Sequence, residues 1–445
     1  MFGKKFLGNV RIPHRKNTEE MSPVKMTSPA EVLLPMDQHM GEPAVPVVKV
    51  GDEVKVGQLV AEASGVVSSP VYASVSGKVT KIEPVLRANG GFVNAIRIQS
   101  DGLMTVSEDI VPPQITDLAS LAEAVRVSGI VGLGGAGFPT AVKLDALKNG
   151  EIHTVIINGA ECEPYITVDS RAMIDDVDAI QYAVELFKKV MPQVKKYIFG
   201  VEANKPKCIS SIKSIFAGDG SVEVHKLPEL YPQGAEKVII YNTIGTVVPE
   251  GKLPADVGVL VINISTLVAI AKYAQTGMPM VEKNLTLDGS AIKNPMNITA
   301  PIGTSIGAVI EFAGGLDGEA GKVVMGGPMT GRTVYSLDEP VVKTTGAILA
   351  FSKNDSVEKS ASACIHCGRC IEACPLKLSP HGFGEALNLE NADERMEALD
   401  KCGLMLCVEC GACAYACPAK RPIIEKIRMA KVALKEYNAN RENLK

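Results

Sequence analysis

The sequence has no long apolar run, no strong net charge and no cysteine pattern typical of secreted domains. No stretch of its 445 residues approaches the roughly 18 apolar residues that a membrane helix needs. The polar, basic N-terminus is followed by no apolar segment, so we expect neither a membrane span nor a secretion signal. A formal net charge of −4 gives no support for nucleic-acid binding through bulk charge. The 46% hydrophobic content instead predicts an ordinary globular chain of several domains.

Eight of the eleven cysteines fall in two copies of one spacing near the end of the chain. Both copies read Cys-x2-Cys-x2-Cys-x3-Cys-Pro, one from Cys364 to Pro375 and the other from Cys407 to Pro418. This spacing is the signature of two [4Fe–4S] clusters, in which the fourth cysteine of each copy ligates the other cluster in two-cluster ferredoxins. The predicted ligand sets are Cys364, Cys367, Cys370 and Cys417 for one cluster and Cys374, Cys407, Cys410 and Cys413 for the other.

Other interpretations of these cysteines fit the spacing poorly. Structural zinc does not need four cysteines at this spacing followed by proline, and a disulfide framework is typical of small secreted chains. Oxygen-sensitive clusters without a disulfide pattern indicate a reducing cytoplasm. The remaining Cys162, Cys208 and Cys402 are expected to be small buried residues without a chemical role. His366 lies inside the first copy, where the ligand positions are already filled, and is expected to be a solvated loop residue.

The first hundred residues divide into two parts. Residues 1–40 are polar and interrupted by prolines, which predicts an irregular extension that lies over a later domain. Residues 41–105 contain two similar halves of short strands and resemble the barrel-sandwich of biotinyl and lipoyl domains. Those domains carry a prosthetic group on a lysine between the halves, and here no lysine occurs between Lys55 and Lys78. The resemblance therefore implies the shape without the swinging arm.

Residues 115–275 alternate strand-like runs with helical periods, which predicts an α/β domain. Strands are expected over 154–157, 196–200, 222–225 and 258–263, and helices over 179–190, 205–216 and 235–241. Residues 284–312 are expected to form short strands followed by a helix, and the segment over 280–330 resembles the β-grasp module of soluble-ligand-binding domains. A connecting segment over 331–359 then leads to a cluster domain over 360–445.

A glycine-rich loop over residues 132–140 contains a formal G-x-G-x-x-G, which by itself is a weak signal. Phe138 precedes a proline and is disfavoured in a helix, whereas Pro139 favours the first helical turn. The helix should therefore begin at about Pro139, later than in a Rossmann fold. The longer loop of backbone N–H groups can line the phosphate or the isoalloxazine of a flavin nucleotide, since glycine permits close approach. A tight interdomain turn is the alternative.

The loop Gly-Leu-Gly-Gly-Ala-Gly-Phe-Pro-Thr resembles the flavin-binding loop of the complex I subunit that oxidises NADH. Residues 158–164, 231–236 and 261–266 resemble further segments of that family in the same order. Three positions depart from its pattern, since Ala160 replaces an acid, Ala235 replaces a glutamate and Ile262 replaces an asparagine. The resemblance implies non-covalent FMN binding and NAD(H) binding by Gly132, Gly134, Gly135, Ala136, Gly137, Phe138, Asn158, Glu161, Glu163, Tyr231, Gly234, Glu236, Asn263, Ser265 and Thr266.

The spacing of two of these residues also indicates a role in nucleotide binding. Glu161 and Glu163 are two residues apart, so on an extended segment their side chains would share a face. Carboxylates placed in this way can accept hydrogen bonds from ribose hydroxyls or from the adenine amine. Solvated loop carboxylates are the alternative.

The order of the segments is similar to the RnfC component of the Rnf (Rsx) ion-translocating electron-transport complex over nearly the whole chain. The fold class that this implies is a multidomain α/β protein with an N-terminal barrel-sandwich, a complex I flavoprotein-like domain, a β-grasp module and a two-cluster ferredoxin-like helical domain. The implied activity is that of a peripheral, NADH-oxidising subunit of a ferredoxin:NAD+ oxidoreductase, on the cytoplasmic face of the bacterial inner membrane. The implied partners are the membrane subunits and the ferredoxin-accepting iron–sulfur subunit.

The predicted chemistry needs no nucleophile or base. NADH gives up two electrons as hydride whereas a cluster accepts one, so a flavin must lie between them. Two alternatives stay open. One is a soluble enzyme similar to the cobalamin reductase of bacterial microcompartments. The other is a non-enzymatic electron-relay adaptor that keeps its clusters and has lost nucleotide binding, which the changes at Ala160, Ala235 and Ile262 make worth considering.

Overall fold

The computed structural model describes residues 7–88, 90–149, 152–357 and 360–443. The strands are β1 (Val24–Lys25), β2 (Glu31–Pro35), β3 (Val45–Pro46), β4 (Glu53–Val54), β5 (Leu59–Glu62), β6 (Val71–Tyr72), β7 (Gly77–Leu86), β8 (Phe92–Ser100), β9 (Thr154–Gly159), β10 (Lys196–Glu202), β11 (Val222–Leu227), β12 (Val259–Asn263), β13 (Glu282–Asp288), β14 (Met296–Pro301), β15 (Ala320–Met325), β16 (Arg332–Thr333) and β17 (Ala347–Ser352). The helices are α1 (Leu118–Ser128), α2 (Thr140–Asp145), α3 (Val168–Asp175), α4 (Val177–Val190), α5 (Pro206–Ile215), α6 (Glu236–Ile244), α7 (Ile264–Thr276), α8 (Ile306–Phe312), α9 (Arg369–Glu372), α10 (Pro380–Ala386), α11 (Ala392–Lys401), α12 (Ala412–Ala416) and α13 (Ile423–Asn443).

The N-terminal part forms a sandwich of two antiparallel sheets. One sheet has the order β2-β8-β7-β4 and the other β3-β5-β6. Alternate side chains of β2 and β8, among them Leu34 and Ile96, point inward and are fully buried. The expectation that residues 1–40 are irregular is wrong in two places, because β1 pairs with β14 and β2 pairs with β8. Pro35 is tolerated because it ends its strand, where few ladder hydrogen bonds are needed.

The rest of the N-terminal extension lies against later domains, as predicted. Val10 forms an antiparallel bridge with Tyr231. Nζ of Lys16 donates to the carbonyl oxygens of Glu161 and Glu163, both at 2.8 Å. The hydroxyl of Thr18 hydrogen-bonds the hydroxyl of Thr167 at 2.6 Å. These contacts fix the loop that leads from β9 to α3.

The α/β domain is built on a parallel sheet with the order β11-β10-β9-β12. Ile157 and Phe199 face the core formed with α4 and α7, while Ile156 and Ile198 face the core formed with α6. Burial on both faces explains why these strands read as continuous apolar runs. The predicted strands and helices are confirmed, with ends that shift by up to three residues. Since β10 and β11 lie on one side of β9 and β12 on the other, the strand order reverses between β9 and β12.

The next sheet has six strands in the order β1-β14-β13-β17-β15-β16. The prediction of short strands followed by a helix over 284–312 is confirmed by β13, β14 and α8. The sheet continues past residue 330, because β17 pairs with β13 on one side and with β15 on the other. Its core includes Leu285, Leu287 and Ile348.

Residues 360–443 form a helical unit that comprises α9 to α13. Its small core contains Phe383, Leu399, Leu404 and Leu434, together with side chains of the cysteine motifs. Among the described residues, no helix is both long and apolar enough to cross a bilayer.

Candidate functional site

A cavity of about 490 Å³ extends along the edge strand β12 and reaches the carboxyl ends of β9 and β12, where the strand order reverses. This is the position at which open α/β sheets bind ligands, and the volume falls within the range of cofactor sites. Asn158 and Asn263 lie at the ends of the two strands and pair in register. The residues predicted from sequence that line the cavity are Gly132, Gly134, Gly135, Ala136, Gly137, Phe138, Asn158, Gly234, Glu236, Asn263 and Thr266.

The glycine loop closes on itself before α2. The amide of Gly132 donates to the carbonyl of Phe138 at 2.9 Å, and α2 begins at Thr140 with Pro139 as its N-cap. The predicted helix start at about Pro139 is confirmed. At Gly134, an added Cβ would lie 3.1 Å from Nδ2 of Asn263, whereas at Gly135 it would meet only open space. Gly135 also has φ +138°, which strains any other residue. The backbone is therefore open to a ligand, as a flavin cradle requires.

The loop is tied to the N-terminus of α7. The amide of Leu133 donates to Oγ1 of Thr266 at 2.9 Å. Asn263 caps α7 by accepting from the amide of Thr266, and its Nδ2 donates to Asp169 at 2.7 Å. On the opposite wall, Nδ2 of Asn158 donates to the carbonyl of Gly234 at 2.8 Å. The sandwich also contacts the loop, since the amide of Met40 donates to the carbonyl of Gly137.

Lys143 lies on the same wall and was missed by the sequence reasoning. Its Nζ donates to Oε1 of Glu236 at 2.6 Å and to the carbonyl of Val261 at 3.0 Å. It places an ammonium group beside the glycine loop, with its charge compensated by Glu236. The available signal was a lysine in the short helix that follows the loop.

Glu161 and Glu163 do not line this cavity. Glu161 has φ +48°, and its carboxylate accepts from the amides of Asp169 and Ser170 at the start of α3. The carboxylate of Glu163 accepts from the amide of Met329 at 3.1 Å and from the hydroxyl of Thr330. The prediction that these side chains share a face is wrong, because the left-handed backbone at Glu161 turns the segment out of an extended conformation.

Tyr231 and Ser265 also lie outside the cavity wall. Tyr231 is 4% exposed, and its hydroxyl donates to the carbonyl of Cys410 at 2.7 Å. It therefore connects the α/β domain to the second cysteine motif. The hydroxyl of Ser265 donates to Asp169, and the residue lines a different cavity.

Buried charges stabilise the segment around Glu161. Nζ of Lys205 lies 3.4 Å from the Glu161 carboxylate and 3.9 Å from that of Glu202. Glu202 is 1% exposed, and burial raises its pKa to about 7 against the lowering effect of Lys205. Burial also raises the pKa of Cys162 to about 12, which makes this thiol a poor nucleophile.

The cysteines of the helical unit converge on two cavities. The larger, of about 180 Å³, is lined by Cys364, Cys367, Cys370 and Cys417. The smaller, of about 20 Å³, is lined by Cys374, Cys407, Cys410 and Cys413. Each cavity thus takes three cysteines from one motif and the fourth from the other. A set of four converging sulfur atoms fits a [4Fe–4S] cluster.

The two motifs share one local geometry. His366 has φ +53° and Glu409 has φ +54°, and each backbone amide donates to the sulfur two residues earlier, at 3.4 Å in both motifs. Hydrogen bonds of this kind stabilise thiolates and tune cluster potentials. The loop conformation therefore repeats together with the spacing.

His366 is exposed, as expected, and a second histidine lies beside it. Nδ1 of His381 lies 3.9 Å from Sγ of Cys364, and the two imidazole rings are 4.6 Å apart. Nothing in the spacing associates His381 with the motif, because it lies outside the cysteine pattern. Of the other cysteines, Cys208 is buried as predicted, while Cys162 and Cys402 are partly exposed.

Four protein families match the chain in consecutive segments. They are the RnfC barrel sandwich hybrid domain over residues 4–103, the Nuo51 FMN-binding domain over 125–272, the SLBB domain over 285–333 and the 4Fe-4S dicluster domain over 358–421. The order of these families confirms the predicted fold class.

Similar proteins cover nearly the full length. The C component of the Na(+)-translocating ferredoxin:NAD(+) oxidoreductase complex of Acetobacterium woodii is 43% identical, over 96% of this chain and 96% of the relative. The same component of the proton-translocating complex of Clostridium ljungdahlii is 42% identical, over 96% and 93%. That of the ion-translocating oxidoreductase complex of Rhodobacter capsulatus is 36% identical, over 96% and 82%.

One solved structure shares the fold. A chain of an NAD+-reducing [NiFe]-hydrogenase in the H2-reduced state superposes with a TM-score of 0.51 and 18% identity. The match covers 72% of this chain and 63% of that chain. About 72% of this chain therefore shares a fold with part of a solved protein.

Proposed function

The chain belongs to the RnfC family of ion-translocating ferredoxin:NAD+ oxidoreductase (Rnf) complexes, and from this premise we propose that it is the subunit that exchanges electrons with NAD(H). It is an oxidoreductase subunit whose cofactors are FMN and [4Fe–4S] clusters. The proposal adds a path between NAD(H), FMN and the two clusters, without assigning a direction of electron flow.

FMN, when bound, exchanges a hydride with nicotinamide and single electrons with clusters. The residues that would hold it are those of the cavity at β9 and β12. The glycine loop would allow close approach of the flavin, and Lys143 would face its phosphate. Asn158, Asn263 and Thr266 fix the walls through the hydrogen bonds described above. The chain has to position and enclose the reactants, and no side chain is needed as a nucleophile or base.

The contact between Tyr231 and Cys410 carries the proposed path. Gly234 lines the flavin cavity and lies three residues after Tyr231, whose hydroxyl donates to the carbonyl of Cys410 at 2.7 Å. The cysteines grouped around Cys410 therefore lie next to the flavin domain. We assign the cluster of Cys374, Cys407, Cys410 and Cys413 as the one that exchanges electrons with the flavin, and the cluster of Cys364, Cys367, Cys370 and Cys417 as the one that exchanges them with a partner.

The chain would act at the cytoplasmic face of the bacterial inner membrane as a peripheral subunit. Its proposed partners are the membrane subunits of the complex and the ferredoxin-accepting iron–sulfur subunit. The names of the relatives, which are components of ion-translocating complexes, support this placement.

One observation favours a second candidate, the electron-relay adaptor. The carboxylates of Glu161 and Glu163 are bound to protein groups rather than directed into the flavin cavity. An adaptor would keep both clusters without exchanging electrons with NAD(H).

Anaerobic purification with flavin and iron assays, followed by stopped-flow mixing with NADH, tests the proposal. We expect rapid flavin bleaching followed by loss of cluster absorbance. Gly135→Glu should abolish flavin binding and leave the clusters, because the side chain would enter the cavity. Gly218→Glu is the matched control, since Gly218 also has positive φ and an added Cβ there meets open space outside the cavity. Clusters without flavin or any response to NADH would contradict the proposal and support the adaptor.

The crossed cluster assignment has its own test. Cys417→Ser should disrupt the cluster of the first motif, and Cys374→Ser should disrupt that of the second. Electron paramagnetic resonance of the reduced proteins distinguishes the two signals. Cys402→Ser, which alters a cysteine outside both sets, should leave both signals unchanged. If Cys417→Ser instead removed the signal lost in Cys413→Ser, the crossed assignment would be wrong.

A further inference from the structure

A second and larger cavity, of about 790 Å³, lies between the sandwich, the α/β domain and the six-stranded sheet. It is separate from the flavin cavity, with which it shares no lining residue. Its wall is mainly apolar and includes four methionines, Met26, Met104, Met278 and Met280. Methionine side chains adapt to irregular apolar ligands.

Two ion pairs account for most of the charge on this wall. Lys25 pairs with Glu282 at 2.9 Å, and Lys272 pairs with Asp176 at 2.7 Å. The remaining lining cation is Lys283, which is 4% exposed. It lies on β13 on the same face as the buried Leu285, so the two-residue period of the strand would favour an apolar side chain at this position.

Lys283 differs from Lys343 and Lys205, which are also buried, in the hydrogen bonds that its Nζ forms. Nζ of Lys343 donates to Ser69, Pro70 and Gly129, and Nζ of Lys205 donates to Ala160 and Glu161. Within the described part of the chain, Nζ of Lys283 forms no hydrogen bond and no ion pair. The residue is 4% exposed and its Nζ keeps some accessible surface, so the ammonium group faces the cavity. An ammonium group with so little access to water and no protein acceptor favours a ligand that supplies one.

The carboxylate that favours the charged form of Lys283, that of Asp169, is already hydrogen-bonded to other residues. Asp169 raises the pKa of Lys283 against the stronger lowering effect of burial, which brings that pKa to about 8. The carboxylate of Asp169 accepts from Nδ2 of Asn263 and from the hydroxyl of Ser265. The Asp169 carboxylate therefore forms no ion pair with Lys283. The ammonium group of Lys283 stays open to the cavity.

We propose that this cavity is a second small-molecule site, which binds an amphipathic organic anion with its acidic group on Nζ of Lys283 and its apolar body against the methionine-lined wall. The volume admits a ligand of the size of a fused aromatic or medium-chain acid. The proposal does not rest on NADH oxidation, because no residue that lines the flavin cavity and no cysteine of the two motifs lines this cavity, although Leu133 of the glycine loop does.

Isothermal titration calorimetry of the full chain, loaded with FMN and clusters and kept in excess FMN, tests this site. The probes are 8-anilinonaphthalene-1-sulfonate and the neutral N-phenyl-1-naphthylamine, which has the same rings without the sulfonate. We expect one sulfonate probe per chain, bound about tenfold or more tightly than the neutral probe, since a charge-assisted hydrogen bond contributes on this scale.

Variants locate the binding. Lys283→Met should weaken the sulfonate probe about tenfold and leave the neutral probe within about twofold. Lys283→Arg should retain most of the affinity. Lys272→Met, which alters a paired lysine on the same cavity, should change binding by less than about twofold because its charge is already compensated.

Equal affinity of the wild-type chain for both probes would overturn the proposal even if Lys283→Met did not fold. Unchanged sulfonate binding in a folded Lys283→Met variant would do the same. Sulfonate binding that is seen in FMN-free protein and lost when FMN is in excess would place the probe in the flavin cavity and also refute the second site.

Discussion

Replacing Tyr231 by phenylalanine tests whether this residue belongs to the flavin site or to the interface with the cluster unit. The resemblance to complex I places it among the cofactor-binding residues, whereas the structure directs its hydroxyl to the carbonyl of Cys410 at 2.7 Å. The substitution removes this one hydroxyl and keeps the ring, which lies in an apolar cluster with Ala373 and Ala412. The effect should therefore fall on the attachment of the cluster unit.

The expected loss of docking free energy follows from one lost hydrogen bond of a side chain that is 4% exposed. A neutral hydrogen bond contributes about 1 kcal/mol, and a buried carbonyl without a partner adds to the cost. We expect a loss of about 1.5 kcal/mol for the docked state, which raises the population of the open state about tenfold.

Hydrogen–deuterium exchange at residues 407–413 measures this opening. Exchange in the Tyr231→Phe variant should be about tenfold faster, and FMN content should be unchanged. Reduction of the clusters after flavin bleaching should slow. The control is Tyr335→Phe, since that hydroxyl donates to the carbonyl of Leu86 from a side chain that is 62% exposed. Loss of FMN from Tyr231→Phe, with exchange unchanged, would refute the interface assignment and return Tyr231 to the flavin site.

Two further predictions concern stability. Lys343→Met should lower the unfolding free energy by about 3 kcal/mol, because Nζ of this fully buried lysine joins the sandwich to the α/β domain through three acceptors. Thermal unfolding measures this loss, with Lys353→Met as the control because Lys353 is an exposed lysine paired with Glu319. Equal midpoints of unfolding for the two variants would contradict the prediction. Burial raises the pKa of Glu202 to about 7, so the folded chain holds a proton that the unfolded chain releases below that pH. The free energy of unfolding should therefore fall as pH rises from about 5 to 7, by at most about 1.4 kcal/mol per pH unit. Glu202→Gln should flatten this decline. The control Glu250→Gln, which alters an exposed carboxylate, should leave the decline unchanged. An unchanged slope in Glu202→Gln would show that another group titrates.

Local sequence patterns predicted the helices, strands and motifs that depend on residues close together in the chain. The apolar runs of β9, β10 and β12 and the helical periods of α4 and α5 predicted these elements within a few residues, because burial on one or both faces fixes the period. The cysteine spacing predicted two sets of four, and the structure places each set on its own cavity. Pro139 predicted the start of α2, since proline fixes the backbone of the first helical turn.

Interactions between distant segments determined the features that local sequence patterns did not predict. Nothing in the spacing of Glu161 and Glu163 shows that one caps α3 and the other binds residues 329 and 330. The pairing of β2 with β8 and the central place of β17 likewise depend on partners far along the chain.

The sequence by itself predicted the two cysteine sets that the structure places on two cavities, the glycine loop and the order of the domains, because each depends on residue types at short, fixed spacing. Only the tertiary structure decided which carboxylates are committed to the protein, that Lys143 lines the cavity at β9 and β12 and that Lys283 lies open to a second cavity. The physical reason is that burial and hydrogen-bond partners are supplied largely by residues distant in the sequence. The residue type sets a side chain's chemistry, but the groups that satisfy it or leave it free are assembled only by the fold.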